Sequence, residues 1–144
     1  RIVASEQAIT LEFQLDGANF AQAGEASSKI KRILQQLGIS PEIVRRIAIS
    51  SYEAEMNVII HASKGRIAAL IHPDRTEITI EDEGPGIPDI DKALQEGYST
   101  APDHIREMGF GAGMGLPNIR KCTDDFHIQS QVGVGTKIHI TIRH

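Results

Sequence analysis

The chain has 144 residues, 40% of them hydrophobic and only one a cysteine, Cys122. That length suits a single domain over 1–144, the lone thiol excludes an internal disulfide framework, and no apolar run reaches the roughly 18 residues of a membrane span. A formal charge of −4 with scattered basic residues excludes general attraction to nucleic acid or anionic lipid, so a partner must be recognised locally. No signal-peptide pattern and no internal repeat is found, and a cytoplasmic setting with neither direct nucleic-acid nor membrane partners is expected.

Residues 8–15, AITLEFQL, alternate apolar and polar positions and read as a half-buried strand. Helical spacing over 19–37 offers Phe20, Ala23, Ile30, Ile33, Leu34 and Leu37 to a core, and Gly38 stops it. SPEIV opens a second helix, with Ser40 as N-cap, Pro41 at the first helical position and Glu42 in the first turn, where its charge suits the helix dipole. This helix should run to about Ala62. GRIAALIHPD and RTEITIEDEG follow as antiparallel strands joined by a short turn at Pro73 and Asp74. Residues 83–115 hold three of the six prolines and much of the glycine, leaving room only for a short helix at 88–96. Long loops of this kind in a small domain are usually functional. LPNIRKCTDD reads as a helix beginning near Gly115, and FHIQSQ and TKIHITIR form a closing hairpin around VGVG. The fold class expected is α+β, a two-layer sandwich of a mostly antiparallel sheet with helices on one face.

On the helix from Glu42 to His61, apolar side chains from Ile43 to Ile60, Tyr52 among them, cover most directions, as in a helix buried nearly all round. Arg46, Ser50, Glu53, Asn57 and His61 instead share a sector roughly 80° wide at about 100° per residue. A solvated face would give the same stripe. Glu53 and Asn57, one turn apart, can equally share a cation, and Mg2+ asks for few protein oxygens because it keeps waters and phosphate oxygens. His61 either lines such a site or is a hydrogen-bonded structural histidine.

In TEITIEDEGPGIPD the period of two places Asp82 on the face of Ile78 and Ile80, pointing inward. A buried carboxylate needs donors, and the exocyclic amine of adenine is a suitable one, where guanine would present a carbonyl. An aspartate capping the turn into GPGIP is the alternative. Gly84 and Gly86 let backbone approach a flat base closely. The second glycine run, GFGAGMGLPN at 109–118, lacks the Gly-Lys-Ser/Thr of a Walker loop and the Rossmann spacing. It still suits phosphate, because successive peptide N–H groups and a helix N-terminus near Gly115 can wrap an anion.

In this order, polar helix, strand-end aspartate with glycines, glycine loop and then GVGT, the chain resembles the GHKL ATPase superfamily over nearly its whole length. Within it the chain is most similar to the anti-sigma-factor serine kinases, especially the RsbT-like switch kinases, through DEGPGIPDIDKAL, GYST and GMGLPNIRK. The resemblance implies the GHKL (Bergerat) ATP-binding fold, with ATP and Mg2+ as cofactors. It implies Glu53 as catalytic base, Asn57 as magnesium ligand and Asp82 as adenine partner. Gly84 and Gly86 would form the first glycine box, Gly111, Gly113 and Gly115 the phosphate-binding second, and Thr136 would help hold the base. The activity implied is serine/threonine phosphorylation of a STAS-domain antagonist in a partner-switching pathway. A sigma factor or a phosphatase is a further partner it allows, and homodimers occur among such relatives. Two other readings stay open: the ATP-binding module of a histidine kinase, and a nucleotide-dependent partner-binding protein without kinase activity. The chain also departs from the pattern. Arg106 stands a few residues earlier than the arginine of some anti-sigma kinases, the segment between GYST and the glycines is longer, and Asn118 stands where many relatives carry glycine.

Overall fold

The structure, a computed structural model, describes residues 8–95 and 115–144. Five strands, β1 (Ile9–Asp16), β2 (Lys64–Ile71), β3 (Arg75–Glu83), β4 (Asp125–Gln131) and β5 (Gly135–Arg143), form one antiparallel sheet in the order β1-β2-β3-β5-β4. The helices are α1 (Glu25–Gln36), α2 (Pro41–His61), a single turn α3 (Ile90–Ala93) and α4 (Gly115–Cys122). Strand alternation puts Leu15, Ile67, Ile78, Ile80 and Ile140 on one face, where they pack with Ile30 and Leu34 of α1, Ile47 and Val58 of α2 and Ile119 of α4. The opposite face carries a ladder of charges across four strands. Arg66 lies between Glu12 (3.0 Å) and Glu81 (3.4 Å), and Lys137 stands 3.7 Å from Glu81. The α+β sandwich expected from the sequence is therefore the fold observed.

The helix expected over 19–37 is broken. Phe20–Gln22 form a 3₁₀ turn, Gly24 takes a left-handed backbone (φ 90°), and only then does α1 begin. The break has a cause on another helix. Glu55, 1% exposed in the middle of α2, accepts hydrogen bonds on Oε2 from the N–H groups of Gly24 (3.1 Å) and Ala26 (3.3 Å), and on Oε1 from Ser27 (3.2 Å). The opening donors of α1, which have no partners within the helix, are thus answered by a buried carboxylate. Leu37, assigned to the core by periodicity, is 46% exposed at the C-terminal cap of α1. Tyr52, expected to be buried, is 39% exposed beside Gly24.

Ser40 and Pro41 start α2 as expected, although the Ser40 hydroxyl makes no capping bond. The short helix expected at 88–96 is confined to one turn, opened by Asp89 Oδ1 accepting from the Lys92 N–H (3.1 Å). The last helix stops at Cys122 because Thr123 folds back onto the Arg120 carbonyl and Asp124 accepts the Arg143 N–H (2.7 Å) at the start of β4.

A buried donor left without an acceptor costs on the order of 1–3 kcal/mol. Glu55→Ala orphans three of them, so the unfolding free energy in urea is expected to fall by about 3 kcal/mol or more. An unchanged urea midpoint would show that the carboxylate does not hold α1.

Candidate functional site

The polar stripe of α2 divides in two. Arg46 is clamped to the end of α4: its Nε donates to the Cys122 carbonyl (3.0 Å) and its Nη2 to Asp124 Oδ1 (3.2 Å). Ser50 is fully buried and donates to the Arg46 carbonyl (2.8 Å). Glu53, Asn57 and His61 are half-buried. The stripe is therefore no plain solvated face; α4 covers its first half and meets its second.

That meeting point is Gly115, the first residue of α4. A Cβ there would lie 3.0 Å from Asn57 Oδ1, 3.3 Å from Asn57 Nδ2 and 3.4 Å from Glu53 Oε2. A side chain there would crowd both groups, so glycine suits this close approach of the helix start. One turn on in α4 stands Asn118. Burial raises the Glu53 pKa above the ordinary carboxylate value. Burial lowers the His61 pKa, so its imidazole is neutral at pH 7.

The second half of the site is built on Asp82. Its Oδ1 accepts the Thr136 N–H (3.0 Å), and burial raises its pKa against that bond. Opposite it in β2 stands Gly65, where a Cβ would strike Val58 of α2 (2.7 Å). The loop after Asp82 is stitched to the β4–β5 hairpin. Gly84 N–H donates to the Val134 carbonyl (3.3 Å) and Gly133 N–H to the Pro85 carbonyl (2.8 Å). Ser130 Oγ accepts the Ile87 N–H (2.7 Å), donates to the Gly135 carbonyl (3.2 Å) and lies 2.8 Å from Thr136 Oγ1.

Gly84 and Gly86 serve this stitching. The space of a Cβ at Gly84 is occupied by Ala62 (3.1 Å), just past α2. At Gly86, whose φ is +76°, it is occupied by backbone of Gln131 and Val132. The close approach visible here is chain to chain. Gly135, absent from the residues singled out in the sequence, has its Cβ space filled by the Asp82 carbonyl. Ser130 and Asn118 were likewise not given a role from the sequence, although Asn118 stood out as a departure from the motif. Gly111, Gly113 and Arg106 lie outside the described residues.

Among the described residues no cluster of three or more His, Cys, Asp or Glu side chains could hold a metal alone, and no helix is long and apolar enough to cross a membrane. Residues 48–144 match the family of histidine kinase-, DNA gyrase B-, and HSP90-like ATPases. The chain belongs to this ATPase family. It is 34% identical over 112 residues to the serine/threonine-protein kinase RsbT of Bacillus subtilis (strain 168), covering 75% of this chain and 78% of that one. It is 36% identical over 99 residues to the anti-sigma F factor of Heyndrickxia coagulans, covering 69% and 61%. A chain in the crystal structure of the SiaB-SiaC complex from Pseudomonas aeruginosa aligns with a TM-score of 0.65 over 94% of this chain and 90% of that chain, at 11% identity, which is a likeness of fold. The resemblance read from the glycine runs and the polar helix thus names the right ATPase family.

Because the folded protein raises the Glu53 pKa, its charged form is penalised in the native state. Stability contributed by protonated Glu53 is present below the unfolded pKa and lost as pH rises through the folded one. Glu53→Gln is therefore expected to melt at a higher temperature than wild type at pH 7, with the gap closing near pH 3. A Gln variant less stable at pH 7 would contradict the burial of this charge.

Proposed function

We propose that the chain is an ATP-dependent serine/threonine kinase that phosphorylates a STAS-domain antagonist in a cytoplasmic partner-switching pathway. The observation that carries this reading is the convergence of Glu53, Asn57 and Gly115 where α4 begins, in a chain 34% identical to a protein named a serine/threonine-protein kinase. The family name and the named relatives support ATP as the phosphate donor.

Each side chain has a task in this scheme. Asp82, with Oδ1 engaged by Thr136, offers its other oxygen to the exocyclic amine of adenine. Peptide N–H groups at the start of α4, with those of the preceding glycines, receive phosphate oxygens. Asn57 Oδ1 is a hard oxygen donor and, with no protein cage around it among the described residues, fits an ion that keeps waters and phosphates as its other ligands. When bound there, Mg2+ supplies charge neutralisation on the transferring phosphoryl group. Glu53 accepts the proton of the attacking serine or threonine hydroxyl. As that oxygen bonds the γ-phosphorus, the bond to the β–γ bridging oxygen breaks and ADP leaves with its electron pair. A carboxylate whose pKa is raised by burial is a better base for this step than an ordinary one.

Labelled phosphate from [γ-32P]ATP should reach a serine or threonine of a STAS-domain protein from the same genome. Glu53→Gln is expected to slow transfer by about 100-fold or more, with ATP affinity by calorimetry changed no more than about twofold. Equal transfer by both proteins removes Glu53 from the chemistry, and a nucleotide-dependent complex without a phosphorylated partner would replace the kinase with a binding protein. Asp82→Asn is expected to weaken ATP binding about tenfold, the worth of one hydrogen bond to a charged group. Unchanged affinity in the same titration refutes the adenine assignment.

A further inference from the structure

Ser130, Thr136 and Asp82 stand in one row across β4, β5 and β3. Ser130 pairs with Thr136 in the register, and Thr136 comes one step beyond the Glu81 and Lys137 pair, which brings it opposite Asp82. Alternation along β5 puts Thr136 on the side of buried Ile138, Ile140 and Ile142, the side to which Asp82 also points. The row is hydrogen-bonded from end to end. Ser130 Oγ accepts the Ile87 N–H (2.7 Å), donates to the Gly135 carbonyl (3.2 Å) and lies 2.8 Å from Thr136 Oγ1, while the Thr136 N–H donates to Asp82 Oδ1 (3.0 Å).

These contacts fix the direction of the bond between the two hydroxyls. A hydroxyl has one hydrogen and two lone pairs. The Gly135 carbonyl can only accept, so it takes the Ser130 hydrogen. One Ser130 lone pair receives the Ile87 N–H, and the other is left to receive the Thr136 hydroxyl. Thr136 is therefore the donor of that pair, and its Oγ1 meets any further partner with lone pairs alone.

We propose that Ser130 is a positioning residue for nucleotide specificity: by holding the Thr136 hydroxyl hydrogen, it leaves Thr136 and Asp82 as acceptors on one face, which select a purine edge that carries an amine over one that carries a carbonyl. This rests on the reading above, in which the base lies against Asp82 and Thr136. Ser130 touches no part of the nucleotide in this scheme and acts through Thr136. The same hydroxyl also anchors the loop after β3 through Ile87, so its removal has two separable effects.

The test is titration calorimetry with magnesium on the full chain, using ATP and inosine triphosphate, whose base has a carbonyl in place of the adenine amine. Wild type is expected to prefer ATP about 100-fold, because the carbonyl meets lone pairs on both residues. In Ser130→Ala the Thr136 hydroxyl is released to donate. Inosine triphosphate should then bind about tenfold more tightly than it binds wild type, with ATP weakened no more than about threefold. Loss of the Ile87 anchor alone would weaken both nucleotides and strengthen neither. Ser130→Thr, which keeps the hydroxyl, should keep the wild-type preference. Thr136→Val removes the hydroxyl outright and is expected to cut the preference about tenfold, a measurement that decides the matter if Ser130→Ala does not fold. Inosine triphosphate bound no more tightly by folded Ser130→Ala than by wild type overturns the assignment. So does an unchanged preference in Thr136→Val, or the absence of any preference in wild type. Failure of wild type to bind either nucleotide overturns instead the ATP reading on which the assignment rests.

Discussion

The carboxylate of Glu55, nearly sealed from solvent, joins the middle of α2 to the opening turn of α1 through three backbone donors, and the placing of the functional side chains follows from that junction. A long helix with apolar groups on most sides could slide or turn against a sheet at small cost. The Glu55 contacts fix its rotation and its axial position together. At the far end, Ala18 N–H donates to the Ile59 carbonyl and Ser63 N–H to the Glu83 carbonyl, so α2 is held by main chain there as well. Glu53 and Glu55 are two residues apart and point to nearly opposite sides of the helix. One is surrounded by main-chain donors and organises the fold. The other is half-buried, and burial raises the pKa of its carboxyl.

The last turns of α2 are also where the rest of the chain comes closest. Gly17 abuts the Ala62 carbonyl, Gly65 abuts Val58, Gly84 abuts Ala62, and Gly115 abuts Asn57 and Glu53. These glycines come from four separate parts of the sequence. Each clears the volume of a methyl group, and together they let strand ends and a helix start gather around one short length of helix. The candidate site is thus made as much by what the glycines omit as by what the polar residues supply.

Much of this was legible in the sequence, for reasons that individual residues make plain. Strand alternation located Asp82 on the inner face, and 3.6-residue spacing grouped Glu53, Asn57 and His61, because both signals are local and set by burial. Glu55 left no such trace. Its partners lie 28 to 31 residues earlier in the chain, and no spacing rule links a mid-helix glutamate to the start of another helix. Periodicity likewise ran one helix through Gly24, since Phe20 and Ala23 continue the apolar pattern that the left-handed glycine interrupts. Ser130 was silent for a related reason: a serine on an edge strand looks like any other until the Ile87 N–H is found on its hydroxyl.

The β4–β5 hairpin lies at the margin of the sheet, with Val132 and Val134 in solvent at its tip. Hairpin tips of this sort are where diverging lineages ordinarily accept insertions and residue exchanges freely. Here the tip abuts Gly86, and Gly135 presses on the carbonyl of Asp82. An added residue or a side chain at position 135 would displace the main chain that carries Asp82. Evolutionary drift in this outlying turn is therefore restricted by a site it does not itself line, and variation in length among descendants of this chain has to be sought in other connections.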